Sequence, residues 1–148
     1  MTTYKPQDVI DYVYNLIRSN SSTLGIKGIH KGFVTKLPTS PVLSIQSSDR
    51  SRDMVSTGIQ TINSFEIIML VYATFTNSEA ARKLCNDVSD KVENLILDDY
   101  LTNRLGTLGA HYCLMENLEP GYDNLEDGLA TVNRLTFIIK NKTQLYVA

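Results

Sequence analysis

The densest hydrophobic pattern in the chain runs from Ser64 to Phe75, SFEIIMLVYATF, and is rich in β-branched and aromatic residues. Phe65, Ile67, Met69, Val71, Ala73 and Phe75 share one face at period two. Ile68, Leu70 and Tyr72 share the other, so both faces need cover and the stretch predicts a central strand. Thr76-Asn77-Ser78 breaks the pattern. A stripe at helical spacing follows, through Ala81, Leu84, Cys85, Val88, Val92, Leu95 and Ile96. Thr76 with Glu79 predicts a capping box that sets a carboxylate at the positive end of the helix. The opposite face carries Glu79, Lys83, Asp87 and Lys91, a solvated set. Leu84, Val88, Val92 and Leu95 should therefore be buried against the sheet, with Phe137 and Ile139 close by.

Other elements arrange themselves around this pair. Pro6 suits a first helical turn, and Val9, Val13, Leu16 and Ile17 recur behind it at helical spacing until Ser19-Asn20-Ser21-Ser22. Gly25 to Lys36 is basic and glycine-punctuated, and Leu37-Pro38-Thr39-Ser40-Pro41 reads as a stiff extended connection. Val42 to Gln46 predicts a short strand. Ser47 to Gly58 lacks apolar periodicity and predicts a long loop, a form that tends to be functional or mobile. Nine of the twelve serines precede residue 60, which marks the first third as the more polar part. Asn103-Arg104-Leu105-Gly106 predicts the stop of the long helix. A strand from Ala110 to Leu118, a type II turn centred on Pro120-Gly121, and a final strand from about Ala130 to Lys140 complete the reading. The expected fold is α+β, a mainly antiparallel sheet of four to five strands packed with two helices in a single domain.

Composition changes this picture little: 43% apolar residues suit a globular chain, and a net charge of −2 gives no reason to expect nucleic acid or an anionic membrane. The distribution matters more than the total. Residues 1–60 hold seven Lys/Arg and four Asp/Glu, or +3, whereas residues 61–148 hold seven and twelve, or −5. Such a subunit would suit two unlike partners. Two cysteines, with no signal peptide and no apolar run of about 18 residues, predict a soluble protein with reduced, buried thiols at Cys85 and Cys113.

Catalytic chemistry is not visible. His30 and His111 are isolated, and although His111 and Cys113 would share a strand face, two ligands fall short of a structural zinc set. Asp98-Asp99 and Glu126-Asp127 lack a nearby partner for acid–base work, and no phosphate loop, nucleophile elbow or dinucleotide fingerprint occurs. Gly25-Ile26-Lys27-Gly28 has the form of a backbone-clamping loop, but that module needs a helix on each side and none is predicted after Gly28. No catalytic, cofactor or metal residue is nominated. The one candidate site is the predicted loop from Asp49 to Gly58, with Asp49, Arg50, Arg52, Asp53 and Met54 as its contact residues. Its alternating charges, with arginine forks suited to carboxylates on a neighbour, point to assembly.

The order of parts resembles that of phage tail terminator proteins, also called tail completion or tail-to-head joining proteins. The phrases that carry the resemblance are Tyr72-Ala73-Thr74-Phe75 passing through Thr76-Asn77-Ser78-Glu79-Ala80-Ala81, then Glu119-Pro120-Gly121-Tyr122, then Arg134-Leu135-Thr136-Phe137-Ile138-Ile139. The resemblance spans nearly the whole chain in order and length. It implies a structural, non-enzymatic virion protein without cofactor, assembled in the host cytoplasm. It further implies a ring, commonly a hexamer, that caps the tail tube and meets the head or neck connector. Its partners are then its own copies, the tube protein and the connector, with no membrane and no sequence-specific nucleic acid. The alternatives are another phage neck or head-completion protein, or an unrelated small α+β ligand-binding or enzymatic domain.

Overall fold

The computed structural model describes residues 5–55, 60–74 and 77–144. Their elements in order are α1 (Pro6–Ser19), α2 (Ser21–Leu24), β1 (Gly28–Lys31), β2 (Val42–Val55), β3 (Gln60–Thr74), α3 (Ser78–Asn103), a 3-10 turn (Gly106–Leu108), β4 (Ala110–Leu125) and β5 (Gly128–Gln144). The five strands form one sheet in the order β1-β2-β3-β5-β4. β1 runs parallel to β2 and every other pairing is antiparallel. The expected class holds: α+β, a mostly antiparallel sheet, with the short α2 added to the two expected helices.

β3 is central, as its two-faced pattern requires. Phe65, Ile67, Met69, Val71 and Ala73 are buried on the face that meets α1 and α3, with Leu135, Phe137 and Ile139 of β5 beside them. α1 brings Val9, Ile10, Val13 and Ile17 to this core. Its start is fixed by Pro6 and by the Lys5 N–H, which donates to the Asp8 carboxylate at 2.7 Å. α3 buries Ala81, Cys85, Val88, Val92 and Ile96. Two members of its predicted stripe do not follow: Leu84 is 38% exposed and Leu95 only half-buried, because they flank the stripe's centre line. The cap is also displaced. Asn77 Oδ1 accepts from the N–H groups of Glu79 and Ala80 at 3.0 and 3.1 Å, while Thr76 lies outside the described residues.

Three further expectations are corrected, and one stretch left without an element gains one. The stretch read as a loop from Ser47 is strand as far as Val55, paired with β3 through a bulge at Ser48, and residues 56–59 lie outside the described set. Apolar alternation is missing there because the neighbouring end of the sheet buries polar groups, Thr61, Asn63 and Asn141, rather than hydrocarbon. Asn63 Nδ2 donates to Asn141 Oδ1 at 3.0 Å, and Asn141 Nδ2 donates to the Leu108 carbonyl at 3.1 Å. Pro120 and Gly121 are not a turn but lie inside β4, opposite Asn133 and Val132. β4 is an edge strand, where a proline forfeits no ladder bond if its nitrogen faces outward. The turn is Glu126-Asp127, ahead of Gly128 at φ +132°. The final strand accordingly runs further at both ends, Gly128–Gln144. Finally, the basic Gly28–Lys31 stretch is β1.

The connection from β1 to β2 is a strap across the face opposite the helices. Val34 and Leu37 pack on Tyr72, Ala130 and Val132, with Leu70 and Leu125 at the margin. Its far reach is pinned at the β4–β5 turn, where the Glu126 N–H donates to the Thr35 carbonyl and the Leu37 N–H to Asp127 Oδ2, each at 2.9 Å. A polar clamp does the same work on the helix side. Arg82 donates to Asn133 Oδ1 at 2.6 Å and to the Gly121 carbonyl at 2.8 Å, and its guanidinium lies 5.3 Å from the Tyr122 ring centre. Asn133 in turn donates to Asn86 and Ser89 at 3.0 and 3.1 Å. Helix α3 is thus tied to the outermost strand, and the edge it holds is part of the candidate surface.

Candidate assembly surface

Asp49, Arg50, Arg52, Asp53 and Met54 stand in β2, at register positions opposite Glu66, Phe65, Asn63, Ile62 and Thr61 of β3. They are brought together by the β2–β3 pairing and not by a loop. β1 pairs with β2 only from Val42 to Ile45. From Gln46 to Val55, therefore, β2 has no strand on its outer side among the described residues. An open backbone edge of this length is a template for pairing with another chain unless something blunts it.

The opposite edge is blunted. β4 carries two bulges, at His111 and Glu116, and Pro120 interrupts its row of donors. Glu116, Glu119 and Asp123 are exposed along it, Glu119 accepting from Asn117 Nδ2 at 2.7 Å. The bulge at His111 also overturns the expectation that His111 and Cys113 share a face. With one residue inserted, His111 is exposed and Cys113 buried. Partial burial first, and then the positive charges of Lys142 and Lys140, hold His111 below its ordinary pKa. Burial pushes the Cys113 thiol up to about 12 and the Cys85 thiol up to about 11, so both are protonated core groups. Among the described residues no three His, Cys, Asp or Glu side chains converge.

Beyond the strap, no described residue covers the sheet face away from the helices, and that face is mixed. Half-buried Ile68 and Ile138 lie beside exposed Leu114 and Tyr112, and Lys140 Nζ sits 4.9 Å from the Tyr112 ring centre. A cleft of about 280 Å³ between α2 and α3 combines Leu24 and Leu95 with Lys91 and Asp98. Two aromatics that the sequence pattern does not mark as surface contacts are exposed: Phe33, 87% exposed just past β1, and Tyr122, 59% exposed on β4. Phe33 followed glycine in a stretch without periodicity, and Tyr122 sat in what read as a turn. Alternation through Tyr112, Leu114 and the β4 bulges was equally hard to see.

No family model matches the sequence, and no curated protein matches it. A solved structure does. A chain in the virion of a native gene transfer agent particle is similar in fold, with a TM-score of 0.54 over 95% of this chain and 100% of that one. The likeness is one of fold. The two sequences are 12% identical. No helix among the described residues is long and apolar enough to cross a membrane.

Proposed function

We propose that this chain is a structural virion protein of the phage tail-terminator type, a subunit of a ring that caps the tail tube and offers the surface to which the head is joined. The observation that carries the reading is the fold shared end to end with a chain of a gene transfer agent virion. The sequence phrases that resemble tail terminators lie on β3 and the start of α3, on the Arg82-clamped part of β4, and on β5, and so include three of the five strands of the sheet. In this reading the partners are other copies of the chain, the tube protein and a head or neck connector. It assigns the chain no catalysis, no cofactor and no metal, and sets it at the tail or neck of a virion assembled in the host cytoplasm. The outer half of β2, with Asp49, Arg50, Arg52, Asp53 and Met54, is assigned to assembly, now as an open strand edge.

Light scattering and negative-stain imaging of the purified protein test the ring directly, and rings of uniform size are expected. Changing Arg50 and Arg52 together to Glu should leave the monomer's melting temperature nearly unchanged and weaken ring formation, most visibly at low salt where charge contacts are least screened. Full rings and wild-type completion of tails by that variant would remove Arg50 and Arg52 from the contact. A chain that stays monomeric at every concentration would remove the ring.

A further inference from the structure

Strand order converts the charge imbalance of the sequence into an imbalance across the sheet. β1 and β2 end the sheet on one side and β4 ends it on the other. Residues 5–55, which supply α1, α2, β1 and β2, hold seven Lys/Arg against four Asp/Glu, or +3. Residues 110–128, which supply β4 and its turn, hold Glu116, Glu119, Asp123, Glu126 and Asp127 with no Lys or Arg, or −5. Part of this charge is internal: Lys31 Nζ lies 2.6 Å from Asp11 Oδ1, and Lys36, which the strap carries to the β4–β5 turn, lies 3.6 Å from Glu126 Oε2 and so does not belong to the β1–β2 edge. Lys27 beside β1, and Glu116, Glu119 and Asp123 along β4, have no ion pair among the described residues. Each edge also exposes an aromatic ring, Phe33 on the basic side and Tyr122 on the acidic side.

We infer that the acidic β4 edge is occupied by the basic β1–β2 edge of a second copy of this chain. Two different patches meet, so the contact is heterologous, and repetition closes a ring or extends a filament according to the rotation between copies. The bulges and Pro120 interrupt the outer backbone of β4, so exposed charge and the two aromatic rings carry the contact rather than a continuous ladder. Arg82 acts as a positioning residue, fixing β4 to α3 through the Gly121 carbonyl and the Tyr122 ring. The inference rests on the ring reading above and names the two surfaces that the ring would join.

Two charge-reversed proteins test it, K27E/K31E and E116K/D123K, each judged folded by its melting curve. In the first, residues 5–55 pass from +3 to −1 and both edges are acidic; in the second, the strand β4 itself, Ala110–Leu125, passes from −3 to +1 and both strand edges are basic, so each alone should need on the order of tenfold higher concentration than wild type to assemble at low salt. Mixed in equal amounts, the acidic edge of one meets the basic edge of the other, and assembly should return towards wild type. Loss of the Lys31–Asp11 bridge, a half-exposed surface pair, cannot produce recovery on mixing. Wild-type assembly by either variant alone, or no recovery in the mixture, overturns the edge-to-edge contact while leaving the ring intact. Wild-type protein that never assembles removes the ring and this contact together.

Discussion

Gly106 sits where α3 turns into β4, and replacing it with Ala tests whether that corner is built around Tyr12. The backbone there holds three successive left-handed residues, Arg104, Leu105 and Gly106, at φ 52°, 56° and 60°. A Cβ on Gly106 would lie 2.7 Å from Tyr12 Cε2, 3.0 Å from its oxygen and 3.2 Å from Cζ. The tyrosine cannot swing away without loss, because its hydroxyl donates to Asp99 Oδ2 at 2.6 Å. Gly109 supplies an internal control, since it has φ +57° and no atom within 4 Å of an added Cβ. Its replacement by Ala should cost only the left-handed strain, about 1 kcal/mol. Gly106→Ala adds the displaced ring and a weakened hydrogen bond to a charged, half-exposed acceptor, for roughly 2–4 kcal/mol in all. Urea unfolding of both variants reads these values. In a Tyr12→Ala background the Gly106→Ala cost should fall to that of Gly109→Ala, because the obstacle is gone. Equal costs for the two glycines in the wild-type background, or a Gly106→Ala cost untouched by Tyr12→Ala, would refute the account of the corner.

Two other consequences concern the same packed layer. Ile96→Ala should cost about 2–5 kcal/mol, since the side chain is fully buried, while half-buried Leu95→Ala should cost roughly 1–2 kcal/mol; equal losses in urea midpoints would contradict the stripe's observed centre line. Burial, and then the bond to Asp99, raise the Tyr12 pKa from 10.0 to about 12, so its stabilising effect is complete below pH 10 and is lost as pH rises towards 12. Tyr12→Phe should flatten that part of the alkaline decline, measured as unfolding midpoint against pH, and an unchanged slope would exclude Tyr12 as its source.

What was legible in the sequence follows from where hydrocarbon is buried. β3, α1, α3 and β5 each set an apolar stripe against the common core and are legible over that stripe, whereas β3 and β5 extend past it, to Gln60 and to Gln144, where the sheet buries Asn63 and Asn141 instead. The outer half of β2 was not. Its partner strands bury Asn63 and Asn141 as a hydrogen-bonded pair, so backbone pairing rather than hydrophobic periodicity makes the strand. β4 failed for a different reason: bulges at His111 and Glu116 shift the alternation twice, and Pro120-Gly121 imitates a turn. The informative signal lay a few residues later. Asp127-Gly128 marks the corner: Glu126 and Asp127 form the two-residue loop, and Gly128, the first residue of β5, takes the positive φ that follows it.

The candidate surface was legible in part, and topology explains the division. A sequence shows that its first sixty residues are basic and the remainder acidic, but charge along a chain acts only after folding has assigned it a position. Here β5 carries Arg134, Lys140 and Lys142 and inserts between β3 and β4, so the acidic remainder does not form one continuous pole. Apart from Glu66 on β3, its carboxylates divide between α3 and the β4 strand with its turn, and the cations of β5 lie between β4 and β3. The basic third stays together because α1, β1 and β2 share one side of the sheet. That is why the relevant contrast is edge against edge rather than half against half. It is also why Glu116 and Asp123, unremarkable as sequence, are the carboxylates to reverse.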